Sequence, residues 1–253
     1  MKAIILCCDK YLSCAYHTIK SYESSIPNND FVYLLPYNES VPDFIKQLRI
    51  QTQKRIKLIF TNPQFKKTMK KLLKNIDDEE FIYWCSSDTY IEKIDVQKFL
   101  ILKNLISSGF FNDFDVISPF YNKKIHNNIH NLQKKKINNF DFVLCPKWDK
   151  PIFNIWQHQF MKVKILKAIW NSFNEPNKAK DLDKQLMKIN HPIYDNLAFI
   201  NCKNIYLQNP ILKLGENTSR GFITSNAIEN FHKLNINTDI IQLPINYQCR
   251  LIW

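Results

Sequence analysis

Short apolar runs separated by mixed polar and apolar stretches mark out most of the first half of the chain. Residues 3–8 (Ala3-Ile4-Ile5-Leu6-Cys7-Cys8), 31–35 and 56–60 are continuous apolar or nearly apolar runs. Residues 81–91 form a fourth, which runs into a polar elbow at Ser86-Ser87-Asp88. Such runs predict parallel strands buried on both faces, because a strand with helices on either side has no polar face to show. Between them, residues 12–22 can form a helix. Over 64–75, Phe65, Met69, Leu72 and Leu73 fall at helical spacing while Lys66, Lys67, Lys70, Lys71 and Lys74 face outward, a pattern that predicts a solvated helix face. A further helix is predicted over 95–106 and a strand at 116–118. Strands alternating with helices of this length give an α/β fold, a mainly parallel sheet flanked by helices. In such sheets ligands bind outside the carboxyl ends of the strands, where Asp9, residues 36–38 and residues 86–88 fall.

The second half is less regular. From 121 to 139 Asn, His and Lys replace most large apolar residues, with a triple lysine at 134–136, which predicts a mobile or weakly structured insertion. Strands are expected at 140–144 and 152–156, helices at 161–173, 181–188 and 225–234, and apolar runs at 197–200 and 204–207.

Composition removes several functions. The 253 residues include only three glycines, Gly109, Gly215 and Gly221, spaced for neither a G-x-G-x-x-G turn nor a Walker A loop. No G-x-S-x-G elbow is present, which leaves little support for that class of hydrolase. The formal net charge of +12 favours anionic partners without choosing among them, and the wealth of Lys, Asn and Ile fits an AT-rich coding sequence. Seven scattered cysteines, with no C-x-x-C pair, read as reduced core thiols. No apolar run reaches the roughly 18 residues of a membrane span, and the apolar start is too short for a signal peptide, so the expected location is the cytosol.

From the pattern alone, Asp88 reads either as a turn or N-cap aspartate or as a ligand for a hard cation bridging to phosphate oxygens. The stretch Tyr83-Trp84-Cys85-Ser86-Ser87-Asp88-Thr89-Tyr90-Ile91 resembles the sugar-nucleotide metal motif of GT-A glycosyltransferases of the surface-polysaccharide type. Cys8-Asp9-Lys10-Tyr11 after the first strand is similar to the nucleoside-binding loop of that family. Gln157-His158-Gln159-Phe160 with Leu166 resembles its donor-sugar and acceptor segment, and residues 213–221 resemble the late loop that closes over the diphosphate.

The resemblance implies a single GT-A-like, Rossmann-like domain over 1–253, with a nucleotide-binding half (1–120), the insertion (121–139) and an acceptor-binding half (140–253). It implies a glycosyltransferase taking a UDP- or GDP-linked nucleotide-sugar donor to a glycan or lipid-linked acceptor, with peripheral contact at the inner membrane face and no specific nucleic acid. The donor would be bound by Cys8, Asp9, Tyr11, Ser86, Ser87, Asp88, Gln157, Lys213, Arg220 and Gly221. The metal, Mn2+ or Mg2+, would sit on Asp88 alone, because Ser86 replaces the first carboxylate of D-x-D. Asp181 and Asp183 are the positional candidates for a catalytic base, with Glu175 behind them; both aspartates also suit a helix N-terminus. His158 and His191 are donor or metal contacts or, more simply, hydrogen-bonded histidines. The competing classes are a basic nucleic-acid-binding protein, which would use 121–139 and the 66–74 helix, and a nucleotidyltransferase, which would normally show the carboxylate pair that Ser86 breaks.

Overall fold

The computed structural model describes residues 1–120, 132–145, 156–172, 174–175, 181, 185, 203–219 and 221–246. The early runs form strands β1 (Lys2–Leu6), β2 (Val32–Tyr37), β3 (Ile56–Phe60) and β4 (Phe81–Ser86), interleaved with helices α1 (Leu12–Ser25), α2 (Asp43–Gln51) and α3 (Phe65–Leu72). After the 86–88 elbow the chain turns back as β5 (Thr89–Ile94) before α4 (Val96–Ser107), which Asp95 caps by accepting from the Lys98 amide at 3.1 Å. There follow β6 (Val116–Ser118), β7 (Gln133–Ile137), β8 (Phe140–Cys145), β9 (Gln159–Lys162), α5 (Val163–Ser172), β10 (Asn204–Leu207), β11 (Leu212–Glu216), β12 (Thr218–Ser219), β13 (Phe222–Thr224), α6 (Ser225–Lys233) and β14 (Ile245–Asn246).

Nine of the strands make one sheet in the order β3-β2-β1-β4-β9-β6-β10-β8-β7. The pairings leave β9 and β8 running against the other seven, so the predicted mainly parallel α/β sheet is what forms. Alternate residues fill two cores. On β4, Phe81, Tyr83 and Cys85 point to the side covered by α1, α2 and α4, while Ile82 and Trp84 meet α3 and α5. The two-sided burial explains the unbroken apolar runs. A third, smaller cluster sits under α6, around Tyr90, Ile223, Ala227 and Phe231.

Four expectations are corrected. Residues 161–162, assigned to the start of a helix, instead end β9 (Gln159–Lys162), wedged antiparallel between β4 and β6 and fully buried. The triple lysine at 134–136 lies on β7, paired with β8, rather than in an unstructured insertion; lysines on an edge strand discourage further strand addition. Strand β1 ends at Leu6, and Cys8 is exposed rather than part of the core. Residues 213–216 are a strand paired with β5, not a loop. The strand expected at 152–155, the run at 197–200 and most of the 181–188 helix lie outside the described residues. No described helix is long and apolar enough to cross a membrane.

Candidate active site at the strand edge

The carboxyl ends of β1, β2 and β4 are tied into one surface by backbone groups. The Ser87 amide donates to the Leu6 carbonyl at 3.1 Å, continuing the β1–β4 pairing into the elbow. Asp9 opens a short 3-10 turn after β1, and its two carboxylate oxygens accept from the amides of Asn38 (2.7 Å) and Glu39 (2.8 Å). Asp9 therefore binds the loop after β2 to the loop after β1. Asn38 extends the tie to β3, its side-chain amide donating to the Thr61 hydroxyl at 3.0 Å.

The elbow itself is shaped from inside. Ser86 and Ser87 are 2% and 4% exposed, so the structure turns inward two side chains assigned to the donor. The Ser86 hydroxyl accepts from the Asp88 amide at 3.2 Å and caps the turn. Beneath it lies His158, whose Nε2 is 3.1 Å from the Ser86 carbonyl and 2.7 Å from the Thr89 hydroxyl, while Nδ1 is 2.6 Å from the Tyr22 hydroxyl. A carbonyl can only accept, so Nε2 carries the proton and Tyr22 donates to Nδ1. His158 is thus a buried strut for the elbow, not a donor contact.

A second strut comes from the far end of the chain. Asn217 is fully buried; its side-chain NH2 donates to the Ser87 carbonyl at 2.8 Å, and its oxygen accepts from His17 Nδ1 at 2.5 Å. The Asn217 amide also donates to the Asp88 carbonyl at 2.6 Å. His17 is clasped between the rings of Tyr90 and Phe231, 4.5 and 4.1 Å away, with Nε2 facing the Asn230 side chain.

Burial lowers both histidines to about 4, from an ordinary 6.5. The folded state therefore takes up a proton less readily than the unfolded one. Stability is intact above pH 6.5 and is lost as pH falls toward 4, by up to about 3 kcal/mol per histidine. Chemical denaturation at pH 7 and pH 5 should show this loss. Replacing His158 with Gln should flatten the slope, whereas an unchanged slope would assign it to other groups.

These struts hold Asp88 half-buried at the edge, its Oδ1 accepting from the Thr218 hydroxyl at 3.0 Å. On the neighbouring strand, Glu216 pairs with Thr89 and comes within electrostatic reach of Asp88. Burial first, and the Asp88 charge second, raise the Glu216 carboxyl above its ordinary value. The Tyr11 phenol is raised by burial first and by the Asp88 charge second, and its ring packs against the cluster under α6. Cys8 and Tyr11 thus follow β1, Asp88 follows β4, and Glu216 ends β11 opposite Thr89, the residue after Asp88. Through the β5–β11 pairing Glu216 brings a second carboxylate to the strand that follows the elbow.

The other sequence-selected residues are more scattered. Lys213 lies on β11 opposite Lys93 and pairs with Glu92 at 2.7 Å, about 16 Å along the ladder from the elbow. Gln157 is half-exposed, next to His158. Glu175 accepts from the Phe65 and Lys66 amides and so caps α3, which explains it without catalysis. Asp181 is helical and half-buried; Asp183, Arg220 and His191 lie outside the described residues. Two glycines have separate reasons. Gly221 has φ +85° with open space around it, whereas a Cβ on Gly215 would come 2.4 Å from the Tyr90 ring.

Asp88 and Glu216, both half-buried, are hard oxygen donors of the kind Mg2+ or Mn2+ takes. Such ions need only one or two carboxylates when phosphate oxygens complete the shell. Among the described residues no group of three or more His, Cys, Asp or Glu side chains could hold a metal unaided.

No protein-family model matches the chain, and no curated protein matches it. Several solved structures align with it over most of its length. A 4-diphosphocytidyl-2C-methyl-D-erythritol synthase from Anaerococcus prevotii aligns over 92% of this chain and 95% of its own, with 13% identity and a TM-score of 0.47. S. aureus TarS 1–349 in complex with UDP aligns over 92% of this chain and 62% of its own, with 15% identity and a TM-score of 0.46. The galactosyltransferase LgtC, in complex with donor and acceptor sugar analogs, aligns over 96% and 81%, with 13% identity and a TM-score of 0.44. The sheet order and the strand-end site define an α/β protein whose candidate site lies at the carboxyl edge of its parallel strands; at such identities the solved structures add nothing about what that site binds.

Proposed function

We propose that this chain is a glycosyltransferase that moves a sugar from a UDP- or GDP-linked donor to a glycan or lipid-linked acceptor in surface-polysaccharide or glycan synthesis. The observation that carries the proposal is the half-buried Asp88 at the elbow after β4, beside the end of β1, with the β11–β12 segment Glu216–Thr218 bound to it through the Thr218 hydroxyl and the Asn217 amide. Tyr11 would offer a ring to the nucleobase, and Asp9 holds the loop after β2 beside it through the Asn38 and Glu39 amides. Asp88 and Glu216 would hold Mn2+ or Mg2+, which supplies positive charge to neutralise the diphosphate leaving group. Gly221 lets the hairpin between β12 and β13 turn tightly, and Arg220 beside it is the side chain suited to forked contact with phosphate.

In the reaction the acceptor hydroxyl oxygen bonds to the anomeric carbon, and the bond from that carbon to the diphosphate breaks. The bonding pair leaves with the diphosphate, and the hydroxyl proton passes to a carboxylate. Asp181 or Asp183 is assigned that role if the configuration inverts. The reaction is placed in the cytoplasm, at the inner membrane face. A panel of nucleotide sugars incubated with the protein should show slow hydrolysis of one donor, with the released anomer read by NMR. Stability of every UDP- and GDP-sugar in the panel would count against the proposal.

A further inference from the structure

The face of the sheet opposite α1 carries a basic groove that the strand-edge site does not use. It runs between α3 and α5, has a volume of about 490 Å3, and is rimmed by Lys66, Lys67, Lys70, Lys74 and Lys167 over a floor that includes Met69 and Leu73. Lys67, Lys70 and Lys74 are exposed, and none is paired with a carboxylate among the described residues. The facing negative charges are few: Asp78 is paired with Lys167 at 2.6 Å, and Glu175 is spent on the α3 amides. Beside the groove, Lys71 lies 5.6 Å from the ring of Phe60, which is 55% exposed at the end of edge strand β3.

From this we infer that the α3–α5 face is a docking surface for an anionic phospholipid membrane. The lysines meet headgroup phosphates, and Phe60 enters the interface. Charge complementarity is the ground: lysine ammonium groups are point charges suited to a field of lipid phosphates, and each one near such a surface adds appreciably to binding. An exposed aromatic beside them suits the headgroup boundary better than an aqueous polyanion. Helix α3 spans only about 12 Å, and no arginine lines the groove, so nucleic acid has neither a track nor a fork to bind. The surface is also linked to the strand edge. Thr68 of α3 hydrogen-bonds Thr61 at 3.2 Å, Thr61 holds Asn38, and Asn38 is held by Asp9. A membrane on α3 therefore lies next to the edge where a lipid-linked acceptor would arrive. Docking itself does not depend on what that edge catalyses, and its test contains no nucleotide.

The test is co-sedimentation of the full chain with vesicles of equal parts phosphatidylglycerol and phosphatidylcholine. The triple variant Lys67→Gln, Lys70→Gln, Lys74→Gln should bind about 100-fold more weakly. A charge-matched variant, Lys134→Gln, Lys135→Gln, Lys136→Gln, on β7 at the other end of the sheet, should bind within about threefold of the unaltered chain. Phe60→Ser should weaken binding about tenfold with the charge unchanged. Equal losses in the two lysine variants would assign binding to net charge and overturn the inference. So would full binding by the α3 variant, equal binding to pure phosphatidylcholine vesicles, or displacement of the vesicles by duplex DNA at equal phosphate concentration. Circular dichroism of each variant separates lost docking from lost fold.

Discussion

Replacing Asp88 with Asn should lower donor turnover by about 10³-fold while leaving the melting temperature nearly unchanged. The asymmetry follows from where the carboxylate sits. Its Oδ1 accepts from the Thr218 hydroxyl, which an asparagine oxygen can do equally well, and the elbow is held by the Asp88 backbone rather than by its side chain. The substitution removes one negative charge from the place where Glu216 and the diphosphate would share a cation while keeping the side chain's size and its acceptor for Thr218. Glu216→Gln should act in the same direction. Because the Asp88 charge raises the Glu216 carboxyl, Asp88→Asn should also shift the titration of Glu216 downward. Steady-state turnover beside thermal denaturation checks both claims; a large fall in stability with turnover intact would make Asp88 a turn residue.

Replacing Asn217 with Ala should cost about 3 kcal/mol of stability and weaken nucleotide binding as well. The side chain is fully buried between the elbow and α1, and its loss leaves the Ser87 carbonyl and the His17 Nδ1–H without partners where water does not reach. A comparison variant tells positioning from simple loosening. Arg55→Met breaks the half-buried Arg55–Glu23 pair and its hydrogen bond to the Phe31 carbonyl, just ahead of β2 and β3 and so at the amino-terminal edge of the sheet. It should destabilise by a comparable amount yet leave nucleotide affinity unchanged. If both variants lose affinity in proportion to stability, Asn217 acts only on folding.

Sequence patterns foretold the early strands because each is buried on both faces and carries its signal within five or six residues. They missed α2, a nine-residue helix in which Ile45 and Leu48 are buried, Phe44 packs partly against the core and Ile50 is exposed, so the apolar positions make no clean stripe. Strand β9 was not foreseen, and its last two residues were read as the start of a helix, because Gln159 and Lys162 are buried polar residues in the centre of a sheet. Gln159 is bonded to Ser118, and Lys162 to the Asn112 carbonyl and Glu79, so neither periodicity applies. For the site, Asp88 and the β1 edge were legible as polar residues just past apolar strands. Glu216 and Asn217 were not, because they reach the elbow only through the β5–β11 pairing, which joins distant parts of the chain. A lone carboxylate beside Gly215 has no local signature; the contact of Gly215 with Tyr90 is what lets that pairing form. Asp9, chosen for the nucleoside, has both oxygens occupied by the backbone of the next loop, a role that spacing does not reveal.

Calorimetric titration of UDP and of GDP, each with and without Mn2+, tests most directly that this strand edge binds a nucleotide through a shared cation. One nucleotide should bind, more tightly with Mn2+, and the gain from Mn2+ should vanish in both Asp88→Asn and Glu216→Gln. Absence of binding by either nucleotide in both conditions, or a Mn2+-dependent gain that survives in both variants, would contradict it.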